Sequence, residues 1–358
     1  MQSIAKQRPD PSDGHRRRLE SVSTNHSHLE TGSILRSASV DGTAPAGALA
    51  VLRSVVLSRP SPSFLAPRRS LLLTLAGIGL QACTAAPAAG TPYRSERFGL
   101  ASADGQRRYR VQLLLPTARP PASGYPLLVM LDGNAAFDAL DDGLLAHQAQ
   151  NGPLAIATLG YETAQDLDVA ARAFDYTPPV PGERPTWDDA QRRRPGGGAD
   201  LFLDLVEQQV LPEIHRRAPC DPDRTTLWGH SYGGLLALYA LFTRPQLFTR
   251  YAAADPSLWW HDGYLLSVEQ RARPLPMGRP MQLLLMAGGA GMATRSQRPG
   301  VDEQARNRRA MLSDATPKLA ERQARRAGLA TTYQPFPGVG HGPMRSASIP
   351  PTLALAAA

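Results

Sequence analysis

Residues 225–242 read Thr-Thr-Leu-Trp-Gly-His-Ser-Tyr-Gly-Gly-Leu-Leu-Ala-Leu-Tyr-Ala-Leu-Phe: a short apolar run, a sharp turn, then apolar residues at helical spacing. A Gly-x-Ser-x-Gly segment between a strand and a helix is a nucleophile elbow, in which the serine backbone is strained and flanking side chains would collide. Gly229 and Gly233 form the flanking pair, and Ser231 is the candidate nucleophile. Thr225 to Trp228 read as a buried strand, while Leu235, Leu236, Leu238, Tyr239 and Phe242 recur on a helical period. A bare motif of this kind arises by chance in many chains. The strand before it and the helix after it supply the context that the chemistry needs.

On both sides of the elbow, strand-like runs alternate with helical patterns, which predicts an α/β fold with a mostly parallel, twisted sheet and helices on both faces. Strands are expected at Arg110 to Leu115, Leu127 to Leu131, Leu154 to Leu159, Thr225 to Trp228, Tyr251 to Ala254, Gln282 to Met286 and Thr331 to Phe336. Helices are expected near Ala136 to Gln148, Asp200 to Arg216, Tyr232 to Thr243 and Asp302 to Arg326. The stretch from Thr177 to Asp200 is too rich in Pro and Gly for either element, and a long loop of this kind belongs at the ligand edge of the sheet.

A serine nucleophile needs a base, which in such a fold follows it in the chain on the loop after the last strand. Two histidines follow Ser231, and His341 is the one directly after the final predicted strand, whereas His261 comes too early. Gly340 and Gly342 are expected to let the backbone bring the imidazole close to Ser231. The third member is harder to place. An acid is expected after the penultimate strand, yet none stands between Met286 and Asp302. Asp302 or Glu303 could fold back onto His341, or a backbone carbonyl could hold the imidazole of a Ser/His dyad, which is the reading favoured here. Asp255 is read as a cap of the segment that follows it. For the oxyanion, the amide of Tyr232 and that of Gly133 or Asn134, in the turn after Leu131, are the candidate donors, although Asp132 to Asn134 could be only a turn.

The first 82 residues differ in character. Residues 1–67 are rich in Ser, Pro, Arg and His and lack periodicity, so they read as disordered or as an extension from a start assigned too far upstream. Residues 68–83 follow with Arg68 and Arg69 before the apolar run Leu71 to Leu80 and Ala82 before Cys83, an export signal too short to span a bilayer. The Leu-Gln-Ala-Cys ending resembles a lipobox that would place a lipid on Cys83, and the twin arginines permit Tat export. Residues 1–82 together hold ten Lys or Arg against five acids, leaving +3 of the +8 net charge for the remainder. So mild a basicity does not require a nucleic-acid partner, though it favours an acidic small molecule. Cys220, the other cysteine, has no intrachain partner for a disulfide or a cysteine metal site.

The segments Val-Met-Leu-Asp-Gly-Asn-Ala-Ala-Phe from Val129, Arg-Ala-Phe-Asp-Tyr-Thr-Pro from Arg172, the elbow, Ala-Asp-Pro-Ser-Leu-Trp-Trp from Ala254, and Pro-Gly-Val-Gly-His-Gly-Pro from Pro337 together resemble the esterase D type branch of the α/β-hydrolases. Within it they look most like the periplasmic siderophore esterases that linearise or cleave enterobactin and salmochelin. The resemblance covers residues 93–358 and implies an α/β-hydrolase domain there. It implies a serine and a histidine, at Ser231 and His341, acting largely as a dyad, and an arginine, at Arg172, contacting a bound anion at the mouth of the site. An ion pair of Arg172 with Asp168 or Asp175 is the alternative. Arg192, Arg193 and Arg194 would add positive charge or form a solvated loop, and Trp259 and Trp260 would give an aromatic wall for catechol rings or pack in the core.

The implied reaction is ester or lactone hydrolysis of a catecholate siderophore such as enterobactin, iron-loaded or not, with no metal or organic cofactor beyond iron carried by the substrate. The implied setting is the periplasm, with the membrane involved only through a lipid anchor, and a monomer. A general carboxylesterase, an acyltransferase of the same branch, and a non-catalytic siderophore-binding lipoprotein are the rival readings.

Overall fold

The computed structural model describes residues 91–289 and 314–358. The expected extension at 1–67, the signal at 68–83 with Cys83, and Asp302 and Glu303 lie outside the described residues. Chain order runs β1 (Tyr93–Ala101), β2 (Arg108–Pro116), β3 (Tyr125–Met130), α1 (Gly133–Asp138), α2 (Asp142–Gln150), β4 (Ala155–Tyr161), α3 (Val169–Asp175), β5 (Trp187–Asp189), β6 (Arg194–Pro195), α4 (Ala199–Leu205), a π-helical turn (Val206–Val210), α5 (Leu211–Arg217), β7 (Cys220–His230) and α6 (Tyr232–Thr243). It continues through β8 (Arg250–Ala254), a 3-10 turn (Trp260–Gly263), α7 (Tyr264–Gln270), β9 (Met281–Gly288), α8 (Ala315–Gln323), β10 (Leu329–Phe336), α9 (Met344–Ala347) and α10 (Ile349–Ala357).

One sheet orders its strands β1-β2-β4-β3-β7-β8-β9-β10. The pairs β1–β2 and β2–β4 are antiparallel, and every pairing from β4 to β10 is parallel. The central parallel strands β3, β4 and β8 are buried along their whole length, as a doubly covered sheet requires, whereas the edge strand β10 is partly exposed. Alternate residues go to opposite sides: Leu127, Val129, Tyr251, Ala253 and Leu285 join one core cluster, while Leu128, Met130, Ala252, Ala254 and Met286 join the other. The first cluster lies under α4 to α8, the second under α1, α2, α9 and α10.

Helix α6 is apolar on every side, with Gly233 to Phe242 all buried, because it packs on β7 and β8 and is flanked by α3 and α7. Truncating Leu236 or Leu238 to Ala, each fully buried, costs about 2–5 kcal/mol. The elements depart from the sequence reading where local chemistry overrides period. The helix expected at Ala136 to Gln148 is two helices, because the Asp141 carboxylate accepts from the Leu144 amide at 2.8 Å and starts α2 afresh. The helix expected at Asp200 to Arg216 is interrupted by the π-helical turn just before Pro212, whose ring has no N–H to give and would strike the carbonyl four residues back. Of the helix expected at Asp302 to Arg326, α8 is the described part. Within the Thr177 to Asp200 stretch, β5 and β6 pair as a small antiparallel hairpin.

Candidate active site

Strand β7 ends at His230 and α6 begins at Tyr232, which leaves Ser231 alone at the turn with φ 61° and ψ −115°. A non-glycine residue in that region is strained, and backbone hydrogen bonds hold it there. The Ser231 amide donates to Ala254 at 3.0 Å, and its carbonyl accepts from Leu235 at 2.9 Å and Ser257 at 3.0 Å. Gly229 is the glycine this turn demands, since a Cβ there would lie 2.2 Å from the Gly233 carbonyl carbon. Gly233 was expected to be equally obligatory, but a Cβ there meets only ordinary contacts, the nearest 3.5 Å away on Leu131.

The parallel register places the ends of β7, β8 and β9 side by side, with His230 opposite Ala254 and Ala254 opposite Met286. Residues just past any of these strands therefore share one edge with Ser231. The loop after β10 carries His341 back across the end of β9, and Nε2 of His341 sits 3.0 Å from Oγ of Ser231. That crossing depends on Gly288, where a Cβ would fall 2.5 Å from the Val339 carbonyl oxygen. It does not depend on the glycines beside the histidine: the nearest atom to a Cβ at Gly340 is 4.0 Å away, and Gly342 faces open space.

The acid sought after the penultimate strand stands one strand earlier. Asp255 follows β8, and its Oδ2 lies 2.5 Å from Nδ1 of His341. Its backbone is left-handed, with φ 44°, and its amide donates to Met286 at 2.7 Å. The carboxylate is thus turned toward the imidazole and does not cap the segment that follows it. The preference for a dyad with a carbonyl partner is corrected in the same way, because a carboxylate fills the place that the carbonyl was to take. Burial pushes the Asp255 carboxyl up, but the hydrogen bond from His341, joined by its charge and by the Gly288 amide, outweighs it and holds it below the ordinary carboxylate range. The signal in the sequence was an aspartate directly after the strand that neighbours the elbow.

His230, the residue before the nucleophile, was not singled out in the sequence. Its Nε2 donates to the carbonyl of His341 at 2.7 Å, and the two rings lie 4.7 Å apart. Burial, aided by the neighbouring His341, pushes its pKa down to about 3, so the ring is neutral and serves as a strut under the His341 loop. His230, Asp255 and His341 offer ligand atoms within 4.8 Å of one another. The nitrogens of His341 are already committed to Asp255 and Ser231, and Nε2 of His230 to the His341 carbonyl.

The turn proposed to hold the oxyanion begins with Leu131, whose amide donates to Trp228 at 3.0 Å, and continues through Asp132 in a left-handed conformation into α1. The first amides of α1, at Gly133 and Asn134, and of α6, at Tyr232, have no carbonyl four residues back within their own helices. Leu131 and Asp132 stand against Gly233, which sets these two helix starts together. The Asn134 side chain is spent on the carbonyls of Thr163 and Gln165.

Arg172 is placed otherwise than the sequence suggested. It is 9% exposed and forms a bidentate pair with Asp132, Nε to Oδ1 and Nη2 to Oδ2, both at 2.8 Å. Asp168 instead caps α3 through the Ala171 amide, and Asp175 pairs with Arg107. The Tyr176 hydroxyl accepts from the Asp132 amide at 3.1 Å. Arg172 and Tyr176 thus clamp the left-handed turn from α3, and the guanidinium is spent on Asp132 before any ligand arrives. Trp259 is half-buried with its ring 6.0 Å from that of Tyr232, and Trp260 is buried. Arg192 pairs with Asp189 and Arg194 with Asp188, while Arg193 is exposed. Cys220, at the start of β7, is buried, and burial pushes its thiol up to about 12.

A hydroxyl, an imidazole and a carboxylate in line, beside two helix starts whose first amides have no intrahelical partner, can transfer a proton from serine and stabilise an oxyanion. Residues 102–279 match the family described as Putative esterase. The chain is 35% identical over 249 residues to the apo-salmochelin esterase of Escherichia coli O6:H1, covering 69% of this chain and 74% of that one. It is 29% identical over 252 residues to the ferri-bacillibactin esterase of Bacillus subtilis, covering 68% of this chain and 82% of that one. Among solved structures, the enterobactin hydrolase IroE in complex with DFP is similar at 33% identity and a TM-score of 0.57, covering 74% of this chain and 95% of that one.

Proposed function

This chain belongs to the Putative esterase family and is an ester-hydrolysing enzyme; from that premise we propose that it opens the ester bonds of a catecholate siderophore, with Ser231 as nucleophile. The observation that carries the chemistry is the line from Ser231 Oγ through both nitrogens of His341 to Asp255. The observation that supports the substrate is the extent of likeness to relatives named for salmochelin and bacillibactin.

In this mechanism Nδ1–H of His341 donates to Asp255, which leaves Nε2 to take the proton of Ser231 as Oγ attacks the carbonyl. The amides of Tyr232 and of Gly133 or Asn134 hold the oxyanion of the tetrahedral adduct. As the adduct collapses, His341 returns the proton to the departing alcohol and an acyl-serine remains. Water then attacks, gives a proton to His341, and Ser231 leaves with that proton restored.

The test is mass spectrometry of enterobactin, iron-free and ferric, after incubation with the protein, with Ser231→Ala as the blank. Linear trimer and shorter dihydroxybenzoyl-serine products, absent from the blank, are expected. Intact trilactone with turnover of simple acyl esters would keep the serine chemistry and move the substrate elsewhere in the family.

The setting proposed for this activity is the periplasm, reached through the signal at residues 68–83 with Cys83 as lipid acceptor, and it rests on the sequence of that segment. Fractionation of cells expressing the full chain, alongside Cys83→Ser, checks it. A soluble cytoplasmic product of unchanged mass would end this reading.

A further inference from the structure

Inside the stretch between Thr177 and Asp200, Asp188 buries its side chain completely. Its Oδ1 accepts from the Tyr232 hydroxyl at 2.7 Å and from Nε1 of Trp260 at 3.0 Å, and its Oδ2 accepts from Nε and Nη2 of Arg194, each at 2.5 Å. One carboxylate thus joins the hairpin to the residue after the nucleophile and to the 3-10 turn beyond β8. A second tie lies next to it, where Nε2 of His261 donates to the Trp187 carbonyl at 2.7 Å.

The hairpin needs such ties. Its two strands share only the register pairs Trp187–Pro195 and Asp189–Arg194, and a two-stranded hairpin of any length is marginal in water on its own. A buried carboxylate is costly unless its lone pairs are filled, and here the donors come from both sides of the junction. Removing any of them loosens the hairpin from the body of the protein. The elbow has separate support: Ser231 is held by backbone bonds to Ala254, Leu235 and Ser257, none of which passes through Asp188.

We infer that Asp188 is a positioning residue that fixes the β5–β6 hairpin as a rigid wall of the ester-binding site, against Tyr232 and Trp260, and so sets how large an ester is accepted. The turn of the hairpin carries Arg192 and Arg193, both exposed, with Arg192 paired to Asp189. The inference rests on the ester hydrolysis of the family and not on the identity of the siderophore. Because the wall and the elbow are held separately, loosening the wall raises KM for a large ester and leaves the chemical step in place.

The experiment compares Asp188→Asn with the unaltered protein on 1-naphthyl benzoate, bulky on both sides of the ester, and on p-nitrophenyl acetate. Hydrogen exchange at the amides of Trp187 to Arg194 is measured alongside. The expected result is a KM roughly ten-fold higher for the naphthyl ester with kcat within about two-fold, a shift below about two-fold in KM for the acetate, and faster exchange confined to the hairpin. Equal losses on both esters, a fall in kcat alone, or unchanged exchange and KM would each overturn the inference. Should Asp188→Asn fail to fold, Arg194→Gln removes the charged partner from the same carboxylate and leaves the elbow untouched. It should shift KM in the same ester-selective way by about three-fold, and no selective shift there overturns the inference as well.

Discussion

Asp255 sets its carboxylate 2.5 Å from Nδ1 of His341 although the two residues stand 86 positions apart in the chain. The contact decides which nitrogen of the imidazole carries the proton, because a carboxylate held below the ordinary range accepts and does not donate. Asp255→Asn presents an amide to the same nitrogen and favours the wrong tautomer. The expected outcome is a loss of about 10²- to 10⁴-fold in kcat with KM within about three-fold, read on any chromogenic ester. Full turnover in this variant would return the site to a working Ser/His dyad.

Arg172 clamps Asp132, so of its two expected roles, contact with a bound anion or a structural ion pair, the structure shows an ion pair, with a partner other than Asp168 or Asp175. Arg172→Ala leaves the Asp132 carboxylate buried and unpaired, which costs about 3–5 kcal/mol of stability, and lets the left-handed turn drift from the elbow. The kinetic loss is expected to fall on the amides proposed to hold the oxyanion, so kcat drops about 10- to 100-fold for a neutral phenyl ester and for an anionic ester alike. Arg172→Lys does not restore it, since an ammonium cannot make the two parallel bonds. A rise in KM confined to the anionic ester would instead assign Arg172 to substrate recognition.

What was legible in the sequence followed from period and spacing. The central parallel strands are largely apolar runs, the buried α6 repeats on a helical period, and Gly229 with Ser231 marks the turn between. The Asp255–His341 contact is hidden because an acid is expected beyond β9, while the register puts the end of β8, the direct neighbour of β7, closer to Ser231. The hairpin was hidden for another reason. Its strands are two and three residues long, too short for any period, and the partners of Asp188 at Tyr232 and Trp260 lie 44 and 72 positions away. Arg172 was read through its sequence neighbours Asp168 and Asp175, and its partner is Asp132, 40 positions earlier.

Two buried groups give opposite slopes to stability below neutral pH. His230, with its pKa pushed down to about 3, binds fewer protons in the folded state than in the unfolded, so stability falls as pH drops below about 6.5. Asp175 is pushed up to about 6 by burial, with Arg107 and its tyrosine partners opposing. Its folded state keeps a proton that the unfolded chain has lost, so stability falls as pH rises from about 3.8 to about 6. In the unaltered protein the two effects offset one another between these limits. His230→Gln should expose the Asp175 slope and Asp175→Asn the His230 slope, each up to about 1.4 kcal/mol per pH unit and of opposite sign. Urea unfolding across this range measures both, and slopes of the same sign would show that these two groups do not control it.

Gly288 fixes where the loop bearing His341 can cross the sheet. A methyl there would lie 2.5 Å from the Val339 carbonyl oxygen and 2.8 Å from Cγ of Met344, so the loop must lift away from β9. Lifting the loop carries His341 off the line between Ser231 and Asp255. A displacement near 1 Å at a reacting group costs about 10²-fold in rate, and Gly288→Ala is expected to lose about that much in kcat. Gly340→Ala meets nothing closer than 4.0 Å and should stay within about two-fold, although it is the residue next to the histidine. The pair is measured on one small ester, with the rate of labelling by a fluorophosphonate as a second readout of Ser231 activation. If Gly340→Ala were the more damaging of the two, the path of the loop would be set by its own backbone freedom and not by the space above β9.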